Sequence, residues 1–561
     1  MDALAPQPFC HAAPTWSRLW RCLAILMLLT SAAGCASVPP NTDRTPSTAF
    51  GQPDQTPLGQ LVQARRAQAG ARSDSAFRLL DGVEIALTSR LALIEGATRS
   101  LDLQYYAIHA DASTELLLQR LREAARRGVR VRILLDDFNS VGADAQVLRL
   151  AFEPNVELRL FNPVAGPRGS MIGRVLASLP DIGAMQKRMH NKLFIADNAW
   201  GITGGRNLGD RYFGTGETQN FIDLDVLAAG RIVRDMSASF DRFWNDELAY
   251  PVERLMDKED LDRLRTPLEP GGDVMAVAAG SVLPSVTAAE ASQAQRPVLD
   301  LRTVDLVWAP ATLLVDKPGK VGPGDDEVDA GDTVIDGLMH LMQQARSDVL
   351  IISPYFVPGP LMMSVYEDLR SRGVRLRVLT NSLASNDAPA AHAGYARYRE
   401  RMLGIGAELY EMHSDPELSD ALGSVSGSRA SRRGGSGFGL GSGPGGSKSG
   451  TTSRASLHSK AVIIDGRLAV IGSMNLDLRS QIQNSEVALV LRSTRLAQQA
   501  TRQVEHTLDH GAYRVEQRNG KLYWRAPKNA LFPDATSEPG ASAKLKLIVK
   551  ILGPLAPDEM L

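Results

Sequence analysis

The sequence predicts an α/β fold of two similar lobes, each a mixed β-sheet flanked by helices, with a site at the interface between them. An eight-residue pattern, His-x-Lys followed five residues later by Asp, starts at His190 and recurs at His458. Upstream of each copy, helical stretches alternate with segments rich in β-branched residues, which is typical of α/β domains. Because each half of the chain holds one copy, we expect both lobes to contribute to one site.

Length and charge limit the class of protein. The chain has 561 residues, of which 44% are hydrophobic, so it can bury two substantial cores. Its formal net charge at pH 7 is -1. A nucleic-acid-binding protein is expected to carry a clear positive excess, and we therefore predict no nucleic-acid partner.

The first 34 residues are predicted to be a lipoprotein signal peptide. Arg18 and Arg21 precede an apolar run that is far shorter than the roughly 20 residues of a membrane-spanning helix. The run leads to Ala-Ala-Gly-Cys35, which resembles the bacterial lipobox and implies cleavage before Cys35 and lipidation of that residue. All three cysteines fall within the first 35 residues, so cleavage would leave no disulfide framework. The alternative is an uncleaved signal anchor.

This anchor predicts a location in the cell envelope, as a membrane-anchored lipoprotein facing the periplasm. Residue 36 is Ala rather than Asp, and the sorting rule of such lipoproteins then favours the outer membrane over the inner membrane. Residues 35–75, rich in Pro, Thr, Gln and Ala, are predicted to be a flexible tether between the membrane and the first lobe.

The two lobes are predicted over residues 76–250 and 331–510. In both, a run Arg-Gly-Val-Arg joins a helix to a strand, because glycine readily ends a helix. The predicted buried strands are residues 99–108 and 127–135 in the first lobe, and residues 346–356 and 372–379 in the second.

Two further segments interrupt or join the lobes. Residues 251–330 are predicted to be a connector, flexible near 276–295 and ordered near 304–315. Residues 414–453, an insertion rich in Ser and Gly ahead of His458, are typical of a disordered loop, with a substrate lid as the alternative.

Residues 511–561 are predicted to form a hairpin followed by an amphipathic helix. Asn519-Gly520 between two strand-like runs indicates a hairpin turn. Beyond it, apolar residues at positions 545, 548, 549 and 552 recur with helical spacing beside lysines. This helix either lies on an anionic membrane surface or packs its apolar stripe against the second lobe.

The two copies of the pattern also share their flanking residues. Residues i and i+2 of a strand face the same side, so each histidine projects together with the lysine that follows it, Lys192 or Lys460. An asparagine follows each histidine after 17 residues, and an acidic residue comes further on. These residues are Asn207 and Asp225 in the first copy, and Asn475 and Glu486 in the second.

Two imidazoles and two ammonium groups suit cleavage of a phosphodiester through a phosphohistidine. One neutral imidazole can attack phosphorus while the other, protonated, donates to the leaving alkoxide. The lysines and asparagines can hold the phosphate oxygens, and we expect Asp225 and Glu486 to orient the imidazoles. Asp197 and Asp465 complete the motifs; we interpret them as structural residues at the strand ends, with direct chemistry as the alternative. The scheme requires no metal and no cofactor.

The doubled pattern resembles the phospholipase D superfamily over roughly residues 76–510. Runs such as Gly472-Ser-Met-Asn-Leu-Asp-Leu-Arg-Ser480 and Thr380-Asn-Ser-Leu-Ala-Ser-Asn are similar to bacterial cardiolipin synthases, most of all to the C type. The resemblance implies that His190 is the nucleophile and His458 the general acid, roles that the symmetry of the sequence itself leaves open. The long insertion and Ser485, where relatives usually carry Thr, depart from the family pattern.

The activity implied by this resemblance is a phosphatidyltransferase that makes cardiolipin from phosphatidylglycerol and a second phospholipid. Within the C type, phosphatidylethanolamine is the implied donor. Three alternatives are a hydrolytic phospholipase D that releases phosphatidic acid, an inactive lipid-binding envelope protein, and a nuclease. Phospholipids and a membrane are the expected partners, and the oligomeric state is left open.

Overall fold

The computed structural model describes residues 38–42, 44–140, 142–164, 166, 182–216, 219–256, 298–322, 333–414, 454–528 and 530–553. The predicted signal peptide with Cys35, the stretch near 276–295 and all of the insertion beyond residue 414 lie outside these residues. Within them, no helix is both long enough and apolar enough to cross a membrane.

The strands and helices are numbered in chain order. The strands are β1 (Ser75–Leu80), β2 (Ser100–Tyr105), β3 (Arg130–Asp136), β4 (Val156–Phe161), β5 (Leu193–Ala196), β6 (Trp200–Gly204), β7 (Gln219–Ile222), β8 (Asp225–Gly230), β9 (Ala249–Pro251), β10 (Val307–Trp308), β11 (Ala311–Val315), β12 (Asp348–Ile352), β13 (Arg375–Asn381), β14 (Glu408–Met412), β15 (Arg454–Leu457), β16 (Ala461–Ile464), β17 (Leu468–Gly472), β18 (Val487–Arg492), β19 (Ala512–Arg518) and β20 (Lys521–Arg525). The α-helices are α1 (Pro57–Gln68), α2 (Val83–Gly96), α3 (Ala112–Arg126), α4 (Ile182–Gln186), α5 (Arg231–Trp244), α6 (Val334–Gln343), α7 (Gly359–Ser371), α8 (Pro389–Gly404), α9 (Leu478–Ile482), α10 (Thr494–His510) and α11 (Ala543–Leu552).

Each lobe is built on one mixed sheet. In the part of the chain that the structure describes, the first sheet has the strand order β10-β1-β8-β6-β5-β2-β3-β4-β9, and the second has the order β11-β18-β17-β16-β12-β13-β14-β19-β20. The runs β2-β3-β4 and β12-β13-β14 are parallel, and their neighbours on both sides are antiparallel. The prediction of two similar α/β lobes is therefore confirmed.

The repeated Arg-Gly-Val-Arg run joins a helix to a strand in both lobes. Helix α3 is capped by Asp111, whose side chain accepts from the N–H of Thr114, and the helix buries Leu117 in the core. Gly128 follows its end with φ = 92°, a left-handed conformation that other residues adopt at a cost. Gly373, with φ = 78°, does the same between α7 and β13.

The prediction of a flexible tether over residues 35–75 is wrong from residue 44 onward. Helix α1 lies in this segment, and the extended stretch before it is held on the first lobe. The backbone N–H of Ser47 donates to Oδ1 of Asn245 at 3.0 Å, and the Ser47 carbonyl oxygen accepts from Arg132 at 3.0 Å. Amino-acid composition does not show these contacts, because polar side chains of the lobe bind the backbone of the segment.

The connector between the lobes supplies one edge strand to each sheet. Strand β10 pairs with β1 of the first sheet, and β11 pairs with β18 of the second. The ordered structure predicted near residues 304–315 is therefore confirmed. The connector is therefore hydrogen-bonded to both lobes.

The predicted C-terminal hairpin is confirmed. Strands β19 and β20 extend the second sheet, and Asn519 and Gly520 form the turn with positive φ angles of 51° and 74°. The last helix, α11, contacts α8 of the second lobe, as the packed alternative predicts, and its placement on a membrane surface stays a prediction. Leu547 and Ile551, which are outside the predicted stripe, are exposed.

One hydrophobic cluster is shared by the two lobes, in addition to a cluster within each lobe. A cluster of buried residues runs from Phe77 and Met189 of the first lobe to Ile352 and Leu457 of the second. A two-stranded parallel sheet, β7 with β15, also joins the lobes. Strand β15 leads directly into His458, so the lobe interface is where the motif residues lie.

Candidate active site

The motif histidines and lysines lie at the start of equivalent strands. His190 and Lys192 directly precede β5, and His458 and Lys460 directly precede β16. All four residues are buried. Each lysine Nζ donates to the backbone carbonyl oxygen of its own histidine, at 2.8 Å in the first lobe and 2.7 Å in the second. Each lysine ammonium group is therefore held beside the backbone of the histidine with which it was predicted to act.

Each imidazole is held by a carboxylate from the opposite lobe. Nδ1 of His190 lies 3.0 Å from both carboxylate oxygens of Glu486. Nδ1 of His458 lies 2.5 Å from Oδ2 of Asp223. Because Nδ1 is engaged, Nε2 is the ring atom of each histidine that is left to react.

The prediction that Asp225 orients an imidazole is wrong, and Asp223 takes that place. Asp225 instead pairs with the buried guanidinium of Arg90 at 2.9 Å and with that of Arg206 at 3.4 Å. The reason lies in strand register: Asp225 pairs with Gly204 across β8 and β6, whereas the second lobe has Ala488 opposite Gly472. Asp223 and Glu486 each stand two residues before those positions and are therefore equivalent.

The backbone around the imidazoles also crosses between the lobes. The N–H of His190 donates to the carbonyl oxygen of Ser485 at 2.9 Å, and the N–H of His458 donates to that of Ile222 at 2.8 Å. The Ser485 hydroxyl donates to Asn191 at 2.7 Å. The Ser485 hydroxyl thus makes an interlobe contact.

The two carboxylates differ in their own partners. Glu486 accepts the hydroxyl groups of Ser473 and Ser480, the second at 2.8 Å. The residue equivalent to Ser473 is Gly205, and a Cβ atom there would lie 2.1 Å from Oδ1 of Asp223. Asp223 therefore lies in a space that a serine would block, and it receives no such hydroxyl.

Burial and nearby positive charges separate the charge states of the two carboxylates. Burial raises the pKa of Glu486 to about 7. Burial acts in the same direction on Asp223, but His458, Lys460 and Arg206 outweigh it and lower the pKa of that carboxyl to about 2. Asp223 is therefore ionised near neutral pH, whereas Glu486 is partly protonated.

The imidazoles follow the same division. Burial and the positive charges of Lys192 and Lys460 lower the pKa of His190 well below its ordinary value. Burial and Lys460 also lower the pKa of His458, but Asp223 acts against them. His458 is thus the imidazole with an ionised partner that favours its protonated form.

Both lysines can offset negative charge on a bound phosphate. Burial lowers the pKa of Lys192 to about 7 and also lowers the pKa of Lys460. A phosphate oxygen entering between the two ammonium groups would favour their charged forms.

The predicted phosphate-binding asparagines, Asn207 and Asn475, are both buried. Nδ2 of Asn207 donates to the Tyr212 hydroxyl at 2.9 Å. Among the described residues, Oδ1 of neither asparagine has a hydrogen-bond partner. A half turn of the Asn207 amide would let Tyr212 donate to the oxygen and would place the amide nitrogen in the unpartnered position.

Asp197 and Asp465 close the turns at the far ends of β5 and β16. Asp197 accepts backbone N–H groups at Thr98, Arg99 and Ser100, between 2.8 and 3.2 Å. Asp465 accepts the equivalent N–H groups of residues 346–348, between 2.8 and 3.1 Å. Their interpretation as structural residues agrees with these contacts, and the alternative of direct chemistry has no contact to the imidazoles to support it.

Aromatic rings that the sequence analysis did not select surround both imidazoles. The Tyr106 ring meets His190 edge-on at 5.1 Å between centroids. Tyr212 and Phe221 lie 5.3 and 4.8 Å from His458. Tyr106 lies just after β2, and Phe221 lies in β7, so strand ends were the signal that could have identified them. The rings exclude water from the imidazoles and strengthen the charge interactions around them.

The chain resembles several known proteins. The sequence matches the family described as "Cardiolipin synthase, PLD-like domain" over residues 91–244, 338–425 and 445–508. Cardiolipin synthase C of Escherichia coli (strain K12) is 35% identical over 483 residues, which cover 85% of this chain and 94% of that protein. An uncharacterized protein of Helicobacter pylori is 29% identical over 522 residues, which cover 92% of this chain and 95% of that protein. The crystal structure of phosphatidylserine synthase from Haemophilus influenzae Rd KW20 shares the fold, with a TM-score of 0.52 and 14% identity over 89% of this chain and 100% of that one.

Proposed function

Because the chain belongs to the phospholipase D-like family of cardiolipin synthases, we propose that it transfers a phosphatidyl group to the glycerol headgroup of phosphatidylglycerol and so makes cardiolipin. One observation carries the proposal: two imidazoles lie at one lobe interface, and each is held by a carboxylate from the opposite lobe. Such a pair can divide nucleophilic attack and proton donation between its members.

In the first half of the reaction, Nε2 of His190 attacks the phosphorus of the donor phospholipid. A P–N bond forms, the P–O bond to the donor headgroup breaks, and Nε2–H of His458 gives its proton to the leaving alkoxide. Lys192 and Lys460 stabilise the charge on the non-bridging oxygens. The low pKa of His190 keeps that ring neutral and able to attack.

In the second half, the glycerol hydroxyl of phosphatidylglycerol enters where the headgroup left. His458 takes its proton, the oxygen attacks phosphorus, and the P–N bond to His190 breaks to release cardiolipin. In its ionised form, Glu486 accepts the Nδ1–H of His190 and stabilises the positive charge on that ring while the phosphorus is attached. Water in place of the alcohol would give phosphatidic acid, the product of the hydrolytic alternative.

The substrate of this reaction resides in a bilayer, which fits the predicted lipid anchor. We propose attachment through Cys35 in the cell envelope, facing the periplasm. Replacing Cys35 by Ser should release the protein from membranes in a carbonate wash, and continued membrane binding would contradict the anchor.

The decisive experiment supplies the protein with vesicles of phosphatidylglycerol and phosphatidylethanolamine and measures the products by lipid mass spectrometry. Cardiolipin is the expected product. Phosphatidic acid as the sole product would favour hydrolysis, and no product would favour a lipid-binding role. His190→Ala and His458→Ala should each abolish turnover, and His340→Ala, at an exposed histidine of α6, is the matched control.

A further inference from the structure

A loop between β13 and α8 is hydrogen-bonded to the end of β15, the strand that leads into His458. Asn381, the last residue of β13, accepts the backbone N–H of Leu457 at 2.9 Å and donates to the Leu457 carbonyl oxygen at 2.9 Å. Leu457 immediately precedes His458. The loop that starts at Asn381 is therefore fixed relative to the imidazole.

The interior of this loop is occupied by its own polar contacts. The Ser385 hydroxyl has two acceptors within hydrogen-bond distance, Oδ1 of Asn381 at 3.0 Å and the Met412 carbonyl oxygen at 3.1 Å. Asn386 accepts the N–H of Ala388 at 2.8 Å, which turns the chain into α8. Residues 381–386 of the loop are buried, whereas the side chain of Asp387, which follows them, is exposed.

A tyrosine fixes the carboxylate of Asp387. Tyr355, which follows β12, donates its hydroxyl to Oδ1 of Asp387 at 2.8 Å. Asp387 lies close enough to the site that its charge counteracts the lowering of the pKa of His458 and of Lys460, which burial causes in both cases. An exposed carboxylate, held in place by Tyr355, thus lies near His458 and Lys460.

The opposite side carries the opposite charge. Arg479, on α9, contributes to the low pKa of His190, after burial and the nearer positive groups. Its Nη2 donates to the carbonyl oxygen of Gln186 at 3.3 Å. The site therefore has a cation near the nucleophile and an anion near the general acid.

From this arrangement we propose that Asp387 is a specificity-determining residue that binds the ammonium group of an ethanolamine headgroup on the donor phospholipid. The inference rests on the proposed function. Because a carboxylate repels phosphate, we expect Asp387 to bind a different, positively charged part of the substrate. The leaving alkoxide must meet His458, and in ethanolamine the ammonium lies two carbons from that oxygen. The exposed second oxygen of the Asp387 carboxylate is available to an ion pair in the same region.

The test measures the choice between two donors in one vesicle. Vesicles contain phosphatidylglycerol with equal amounts of phosphatidylethanolamine and phosphatidylpropanol, whose headgroup has similar length and no charge. Mass spectrometry follows the consumption of each donor, which carries its own acyl chains. The ratio of the two consumption rates reports relative kcat/KM and does not depend on how much of the enzyme is folded.

We expect the wild-type protein to prefer phosphatidylethanolamine and Asp387→Asn to lower that preference about tenfold, because the amide still accepts a hydrogen bond but carries no charge. Tyr355→Phe should lower it less. Asp534→Asn is the matched control, since Asp534 also accepts a tyrosine hydroxyl, that of Tyr523, at an exposed position in the C-terminal region, and it should leave the ratio unchanged.

An equal ratio in wild type and Asp387→Asn would overturn the assignment of Asp387. If the wild-type protein consumed donors but released phosphatidic acid instead of cardiolipin, the proposed transfer would fail, while the donor ratio would still test Asp387. The two failures are therefore distinguishable.

Discussion

Asp223→Asn removes the carboxylate that binds His458 from the opposite lobe and keeps nearly the same shape. A charge pair near 4 Å is worth about 4 kcal/mol at an effective dielectric constant of 20, and the contact here is 2.5 Å. At about 1.4 kcal/mol per pKa unit, the loss should lower the pKa of His458 by about three units. Since the general acid works in its protonated form, we expect cardiolipin formation at neutral pH to fall about 10³-fold.

The assay is the initial rate of cardiolipin formation in vesicles as a function of pH, from about pH 5 to about pH 9. The rate of the wild-type protein should fall as pH rises through the pKa of its general acid. In Asp223→Asn this fall should move to lower pH, because the protonated imidazole has lost the charge that stabilises it. A neutral-pH rate within about threefold of wild type, with an unmoved pH profile, would refute the pairing as the source of the proton donor's pKa.

Asp225→Asn is the matched control, because it changes the same residue type two positions along the chain. It breaks the buried pair with Arg90, and breaking such a pair typically lowers the free energy of unfolding by about 3–5 kcal/mol. Its melting temperature should fall, while the pH profile of the folded fraction keeps its position. A shifted profile in Asp225→Asn with none in Asp223→Asn would reverse the assignment of the two residues.

Three further predictions concern the same site. Burial raises the pKa of Glu486 from 4.5 to about 7, so between these pH values the folded chain holds a proton that the unfolded chain has lost. The free energy of unfolding contributed by this residue therefore falls as pH rises through that range. Glu486→Gln should flatten the fall in Tm measured across the same range. Lys460→Met should slow cardiolipin formation about 10²–10³-fold and raise the pKa of His190, measured by NMR of the imidazole. Chelation by EDTA should leave turnover unchanged, because imidazoles and lysines supply the proposed chemistry; a loss that a divalent ion restored would contradict this scheme.

Much of the fold and the motif residues could be predicted because both depend on short-range pattern. Gly128 and Gly373 end helices by a local conformational rule, and Asn519-Gly520 turns a hairpin by another. The tether was missed for the opposite reason. Ser47 binds Arg132 and Asn245, which are distant in the sequence, and its contacts use backbone groups that every residue has.

The partner of His458 could not be predicted from spacing. Asp223 follows His190 by 33 residues, whereas Glu486 follows His458 by 28, so equal offsets fail beyond the asparagines. Offsets along the sequence also pair each histidine with an acidic residue of its own lobe, whereas in the structure each carboxylate contacts the histidine of the opposite lobe. Aligning β8 and β18 from their first valines, Val226 and Val487, pairs Asp225 with Glu486, and only the strand register matches Asp223 with Glu486. The loop residue Asp387 lies outside the repeat, and its position emerges from the contacts of Asn381 with Leu457.

The exchange of carboxylates between lobes has a consequence for the duplication itself. Two copies of a single lobe, assembled as a twofold-symmetric dimer, would give both imidazoles identical partners and identical affinities for protons. Fusion into one chain removes that constraint. The residues around the two carboxylates could then diverge: His458, Lys460 and Arg206 keep Asp223 ionised, whereas burial raises the pKa of Glu486 and lets it gain a proton. A single polypeptide thus permits a directional reaction in a site whose architecture is nearly symmetric.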